Sequence, residues 1–286
     1  MIIKEALKSV VVNSKFLSLI REKISIANEN RNYKRRVRAY NLTNNKEIIS
    51  QLKNSKYGKR CFIIGNGPSL SAEDLELIKD EISFAANRVW LMYDKTSWRP
   101  TYYMCQDWKM LLSEHNRISQ YPETVFVGFD GTYEQNITLD NAIAYFCDKR
   151  PYAKREYPFP FSYECESYIV DGTIVTYSAL QLALYMGFKE IYLLGVDNNY
   201  QYTIDKNKKI TRHENVKETH FDERYKDLAV KDSNNKIFGI SDPEMCNNAY
   251  ESAKNAATIY GAKIYNATRG GKLDIYDRVK LEDIVG

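Results

Sequence analysis

Cys61-Phe62-Ile63-Ile64-Gly65-Asn66-Gly67-Pro68-Ser69-Leu70 starts as a short apolar run and breaks at Gly-Asn-Gly-Pro-Ser. The residues that follow, Ser71-Ala72-Glu73-Asp74-Leu75-Glu76-Leu77-Ile78, have the spacing and acidic first turn of an amphipathic helix. Strand, tight turn and helix in succession are the unit of an α/β fold. At such a junction small residues let the backbone approach a ligand, and free N–H groups with the helix dipole favour an anion. The same residues would also make an ordinary strand-to-helix turn, and a lone Gly-x-Gly does not separate the two.

Working toward the C-terminus, further short apolar runs predict strands at Ile82–Asn87, Pro100–Asp107, Thr124–Asp130 and Ala142–Phe146. They are nearly continuous in apolar character, which favours a buried parallel sheet. Thr176–Met186 reads as an almost wholly apolar helix stopped by Gly187, and Ile191–Asp197 as a buried strand delivering Asp197 at its carboxyl end. Ligands of open parallel sheets sit beyond the carboxyl ends of strands. Gly65–Ser69, Asn87, Asp107, Asp130 and Asp197 all fall at such ends, so a single cleft is expected there. Residues 198–240 are polar, Lys- and Asn-rich and without periodicity, the pattern of a functional lid or a disordered insertion, and carry His213 and His220. Asp242-Pro243-Glu244 predicts an N-cap with proline at the first helical position, opening a helix to about Tyr260. Ala262–Thr268 is a last short strand.

Toward the N-terminus, residues 1–55 read as a basic, helical extension. Arg31-Asn32-Tyr33-Lys34-Arg35-Arg36-Val37-Arg38 is a dense positive run that suits either a solvated helix face or a polyanionic or lipid surface. The whole chain of 286 residues has a formal net charge of only +4, so nothing demands nucleic acid. No apolar run approaches the roughly 20 residues of a membrane span, and the N-terminus lacks a secretory signal. The expected location is the cytoplasm, with the inner face of the cell membrane open through the basic run. Five scattered cysteines and three histidines argue against disulfides and zinc and predict buried free thiols. The 23 tyrosines are compatible with sugar and phosphate binding as well as with a core.

The chain has no phosphate loop of the G-x-x-x-x-G-K-[ST] type, no G-x-S-x-G elbow, no H-E-x-x-H and no D-x-D. A metal-free site is therefore expected, with Asp107, Asp130 and Asp197 as the carboxylates that would otherwise meet around Mg²⁺.

The Gly65–Leu70 turn, the Phe84-Ala85-Ala86-Asn87 strand end, the Ala179–Met186 helix and Gly187–Asp197 resemble the bacterial sialyltransferases of glycosyltransferase family 42. They are similar too to a broader set that includes motility accessory factors and 6-hydroxymethylpterin diphosphokinases. The resemblance spans about residues 60–268. It implies that Gly65, Asn66, Gly67 and Ser69 contact the nucleotide's phosphate and ribose, that Asn87 and Asp197 lie beside the nucleotide, and that the Tyr200 and Tyr202 hydroxyls meet the departing phosphate. His220 would be the general base. Ile174-Val175-Thr176 stands where the sialyltransferases have Thr-Ser-Gly, which puts Thr176 at the donor.

The expected architecture is a Rossmann-like α/β fold with a central, mainly parallel sheet, helices on both faces, a lid insertion near 198–240 and the helical extension 1–55 preceding a nucleotide-sugar-binding catalytic domain at 56–286. The expected function is metal-independent transfer of a sialic-acid-like sugar from a CMP donor to a glycan hydroxyl in surface-polysaccharide or glycoconjugate synthesis, with no further cofactor. The alternatives are an ATP- and Mg²⁺-dependent pterin diphosphokinase and a non-catalytic nucleotide-binding regulator. Expected partners are the nucleotide-sugar donor, a glycan or lipid-linked glycan acceptor and no nucleic acid, with peripheral membrane contact and a homo-oligomer as further options.

Overall fold

The computed structural model describes residues 24, 27–200, 202–204, 210–212, 220–227 and 241–286. The chain divides into two compact units, Met1–Asn44 and Asn45–Gly286. In the first, helix α1 covers residues 27–41.

The second unit begins with α2 (Asn45–Gln51), followed by β1 (Arg60–Ile64), α3 (Ala72–Leu77) and β2 (Ser83–Ala86). A 3₁₀ turn over Asn87–Met92 leads to β3 (Tyr102–Cys105), α4 (Trp108–Ile118), β4 (Thr124–Gly128), α5 (Phe129–Gln135) and β5 (Ala142–Tyr145). Then come β6 (Cys147–Asp148), α6 (Arg150–Lys154), β7 (Ile169–Val170), α7 (Val175–Tyr185) and β8 (Glu190–Leu194). The region expected to be an irregular lid contains the antiparallel hairpin β9 (Tyr202–Ile204) and β10 (Ile210–Arg212), and the short α8 (Arg224–Asp227). The chain closes with α9 (Pro243–Ile259), β11 (Lys263–Asn266), β12 (Asp277–Arg278) and α10 (Glu282–Val285).

Eight strands form one sheet in the order β12-β11-β8-β1-β2-β3-β4-β5, and every neighbouring pair is parallel. This is the Rossmann-like α/β arrangement expected from the sequence. Alternation sets the two faces. Ile63, Phe84, Tyr102, Met104 and Phe126 point into one apolar core with Leu180 and Leu184 of α7 and Ala253 of α9. Tyr103, next in the alternation, instead meets Tyr121 just past α4, with ring centroids 4.9 Å apart. Helix α7 is buried from Tyr177 through Tyr185. That explains why it is apolar all round rather than striped.

Local chemistry starts and stops these elements. Asp107 caps α4, its Oδ1 accepting from the N–H groups of Lys109 (2.7 Å) and Met110 (3.1 Å). Asp242 caps α9 with Pro243 at the first helical position. The carbonyls of Tyr185 and Met186 at the end of α7 accept from the N–H groups of Asn54 (3.1 Å) and Lys56 (2.8 Å), groups that would otherwise be orphaned. On the sheet edge, Asn45 Oδ1 accepts from the Ala144 N–H at 2.8 Å and blunts β5. All five cysteines are buried and free. Among the described residues no helix is long and apolar enough to cross a membrane.

Candidate functional site

From β1 the chain proceeds to β2, β3, β4 and β5 on one side, while β8 leads to β11 and β12 on the other. The strand order reverses between β1 and β8, which is where open α/β sheets place a ligand crevice. The loops leaving these two strands are packed against each other. Gly65 N–H donates to Leu194 O at 2.8 Å and Gly67 N–H to Gly195 O at 2.9 Å. A Cβ on Gly65 would overlap the Gly195 carbonyl oxygen, and one on Gly67 would fall on the Asp197 carboxylate. Both glycines are thus required by the approach of two loops. Asp197 Oδ2 accepts from Ser69 Oγ (2.8 Å) and Ser69 N–H (3.3 Å). Burial raises the Asp197 pKa and the Ser69 bonds oppose that rise. The start of α3 is closed by its own capping box, Ser71 Oγ accepting from Asp74 N–H and Asp74 Oδ2 from Ser71 N–H. The expectation that this turn holds out free N–H groups to an anion is therefore corrected for Gly65, Gly67, Ser69, Ser71 and Asp74, whose N–H groups already have acceptors.

Asn66 ties the turn to its neighbours. Its Nδ2 donates to Ala86 O (3.0 Å) and to the Tyr225 hydroxyl (3.3 Å), and its carbonyl accepts from Phe221 N–H (3.2 Å). Asn87, just past β2, takes a left-handed φ of 56°, a conformation asparagine tolerates. The Asn87 carbonyl accepts from the Tyr103 hydroxyl at 2.6 Å. The His220 ring lies flat on Tyr225, centroids 3.8 Å apart and planes 7° from parallel. Beneath Tyr225 is the Arg88 guanidinium, 5.5 Å from the ring centroid and paired with Glu114 at 3.3 Å. Asp222 anchors the same segment, bonded to Arg224 Nε (2.9 Å) and Lys95 Nζ (2.9 Å). Those hydrogen bonds, Arg224's first, depress its pKa despite burial. The structure thus gathers Gly65–Ser69, Asn87, Asp197 and His220 at one place. A small cleft beside them is lined by Ile64, Ala86, Met104, Val175 and Thr176.

Three expected residues point their hydroxyls elsewhere. Thr176 Oγ1 lies 2.9 Å from the Tyr250 hydroxyl of α9, although Thr176 also borders the cleft. Tyr200 donates to Cys246 Sγ at 3.4 Å and Tyr202 to Ser241 O at 2.8 Å. Burial pushes the Tyr200 phenol far up and the Cys246 thiol to about 11. His213 and most of residues 198–240 lie outside the described residues.

Residues that the sequence did not mark complete the surroundings. Tyr225 carries no motif, and its role follows only from the fold. Gln106, past β3, accepts at Oε1 from Tyr145 (3.2 Å) and Ser178 (2.5 Å) and donates to Asp171. Asp171 follows β7 and also accepts from Thr173 N–H at 2.7 Å, yet burial raises its pKa. Lys149 lies 3.1 Å from Asp130. Asp107, Asp130 and Asp197 therefore serve a helix cap, a lysine and a serine respectively. Among the described residues no group of three or more His, Cys, Asp or Glu is placed to hold a metal ion. What they do offer is acceptors. The side-chain oxygens of Asn66, Asn87, Asn198 and Asn199, at the ends of β1, β2 and β8, are buried without a hydrogen-bond partner among the described residues. Buried acceptors left this way cost about 1–3 kcal/mol each, and a ligand carrying hydroxyl or amino donors would relieve them.

Residues 38–203 match the family model described as 6-hydroxymethylpterin diphosphokinase MptE-like. The chain belongs to the MptE-like family. No curated protein matches this MptE-like chain. A solved structure that is similar to it is the MAf glycosyltransferase from Magnetospirillum magneticum AMB-1, with a TM-score of 0.48 and 17% sequence identity over 80% of this chain and 35% of that one. The MptE-like chain thus spans little more than a third of that protein.

Proposed function

We propose that this protein is a glycosyltransferase of surface-polysaccharide or glycoconjugate synthesis that moves a sialic-acid-like sugar from a CMP donor to a glycan hydroxyl. The observation that carries the reading is the docking of His220 beside the switch-point turn, through Phe221 N–H on Asn66 O and Tyr225 on Asn66 Nδ2. Histidine suits the role of general base because its ordinary pKa lies near working pH. In the proposed reaction His220 takes the acceptor hydroxyl's proton, that oxygen bonds to the anomeric carbon, and the bond from that carbon to the CMP phosphate oxygen breaks, leaving CMP. The unpartnered oxygens of Asn66 and Asn87 suit the hydroxyls and amino group of a cytidine. The leaving monophosphate requires neutral donors at the moment of bond breaking, a role open to the Tyr200 and Tyr202 hydroxyls once they exchange their present partners.

The second reading, a pterin diphosphokinase, is favoured by the family match over residues 38–203. It calls for ATP with Mg²⁺, and the separate commitments of Asp107, Asp130 and Asp197 weigh against it. Thermal-shift measurements with CMP, CDP, UDP, GDP and ATP, each with and without EDTA, separate the two, because a ligand that binds the folded state raises Tm with its concentration. Stabilisation by CMP that ignores EDTA is expected. Stabilisation by ATP and Mg²⁺ alone would replace the first reading with the second. His220→Ala should lower sugar transfer at least a hundredfold while leaving the CMP-induced shift intact; unchanged turnover would move the base elsewhere.

A further inference from the structure

Asp148 and Val170, the last residues of β6 and β7, pair across the two strands and line a cavity of about 220 Å³. It shares no lining residue with the cleft described above and lies wholly within the second unit. Fixed pieces make its floor. Gln181 of α7, wholly buried, donates through Nε2 to Val170 O (2.9 Å) and accepts at Oε1 from the N–H groups of Val170 (3.0 Å) and Ser162 (3.2 Å). The Pro160 carbonyl accepts from the Tyr177 hydroxyl at 2.7 Å, and the Tyr168 carbonyl from Ser162 Oγ at 2.6 Å. The walls are thus held in place ahead of any ligand, which removes the cost of ordering them on binding.

Four ionisable side chains line the cavity, and their charges cancel. The buried Asp148 holds the Arg150 guanidinium in a fork, Oδ1 to Nε at 2.8 Å and Oδ2 to Nη2 at 2.6 Å. Lys154 Nζ lies 3.7 Å from Glu156 Oε1. A phosphate would meet both carboxylates there, and an ammonium both cations. A hydrocarbon would strip water from these charges and return no hydrogen bonds. A neutral polyol meets none of these objections. Asp148 Oδ2 has room to accept from a hydroxyl, and Lys154 carries three donors. Between them Pro160, Tyr168 and Val170 present apolar surface to the C–H face of a ring. The volume is below the roughly 300–1,000 Å³ of sites that enclose drug-sized ligands, so a single ring fits and a nucleotide does not. We infer that this cavity binds one neutral pyranose sugar, either free or as a unit of a glycan chain. The inference is independent of the sugar-transfer reading.

The test is saturation-transfer difference NMR of the full chain with glucose, galactose and N-acetylglucosamine, with their methyl glycosides, and with glucose 6-phosphate. At least one neutral sugar should bind saturably and at least tenfold more tightly than glucose 6-phosphate. Its affinity should not change with added salt, since an uncharged ligand has nothing to screen. Equal binding of the methyl glycoside assigns the site to a unit of a chain, and loss of binding assigns it to a free sugar. Tyr168→Ala and the double variant Lys154→Ala/Glu156→Ala should each weaken binding at least fivefold, whereas Tyr133→Ala, an exposed ring outside the cavity, should leave it unchanged. If Tyr168→Ala fails to fold, the exposed Lys154 and Glu156 pair still decides. No saturable binding of any neutral sugar, tighter binding of glucose 6-phosphate, full affinity in the double variant, or equal loss in Tyr133→Ala would overturn the inference. The CMP-induced thermal shift should be the same in all variants, which keeps this result separate from the fate of the proposed activity.

Discussion

Asp197 occupies the space a side chain at Gly67 would need. The Cβ of Gly67→Ala would fall on the Asp197 carboxylate, so relief requires pulling Asp197 away from Ser69 or opening the turn from Gly195. Overpacking of this kind costs about 1–3 kcal/mol, and a broken buried hydrogen bond adds to it. Gly67→Ala is expected to lose about 2 kcal/mol or more by urea denaturation. Gly58→Ala provides the contrast, since nothing lies within 4 Å of its Cβ and only its φ of 78° resists the change; it should cost about 1 kcal/mol. Equal stability of Gly67→Ala and wild type would mean that the two loops do not approach as described. The sequence made the Gly-Asn-Gly turn visible but left its cause open, because the group that excludes the side chain lies 128 residues beyond Ser69. The same distance hid the commitment of Ser69, which on sequence alone is available to a phosphate.

Elements differ in how far they can be read ahead of the fold, and the reason is length. Strands β1, β2, β3, β4, β5, β8 and β11 announce themselves as apolar runs because a parallel strand with helices on both faces is buried on both. Their carboxyl ends read one to three residues too long, since Asn87 and Gly195 leave the sheet through left-handed φ values of 56° and 67°. β6 and β7 have two residues each, and pair Cys147 with Ile169 across the chain; such short pieces hold no period to detect. The segment 220–227 is likewise too short to hold a period, and its place is set by Tyr225 and Phe221 on Asn66. That docking can be tested at one amide. Phe221 N–H, bonded to Asn66 O at 3.2 Å, should exchange with solvent at least tenfold faster in Tyr225→Ala, where both the Asn66 bond and the stack under His220 vanish. Tyr225→Phe keeps the ring and loses only one hydrogen bond, about 0.5–1.5 kcal/mol, so its exchange should fall between the two. Unchanged protection in Tyr225→Ala would mean that the segment is held by Asp222 alone.

At the scale of the whole molecule, two half-buried acids, Asp171 and Asp197, and one clamped acid, Asp222, make opposite demands on pH. Burial raises the pKa of Asp171 and of Asp197 above the ordinary 3.8, so the native state holds their protons more tightly than the unfolded chain. Whatever stability this lends is complete below pH 3.8 and is lost as pH rises through the native values. Asp222 runs the other way: held down by Arg224 and Lys95, it contributes above its unfolded pKa of 3.8 and loses that contribution as pH falls. Acid unfolding therefore starts from the segment that carries His220, while Asp171 and Asp197 resist it. Asp171→Asn isolates the first effect, because an amide oxygen still accepts from Thr173 N–H while carrying no charge to bury. The variant should melt a few degrees higher than wild type at pH 7 and converge with it below pH 3.8, where Asp171 is protonated in both folded and unfolded chains. A lower Tm at pH 7 with the gap closing in acid would show instead that attraction to Lys149 outweighs burial, and that Asp171 is held as a carboxylate.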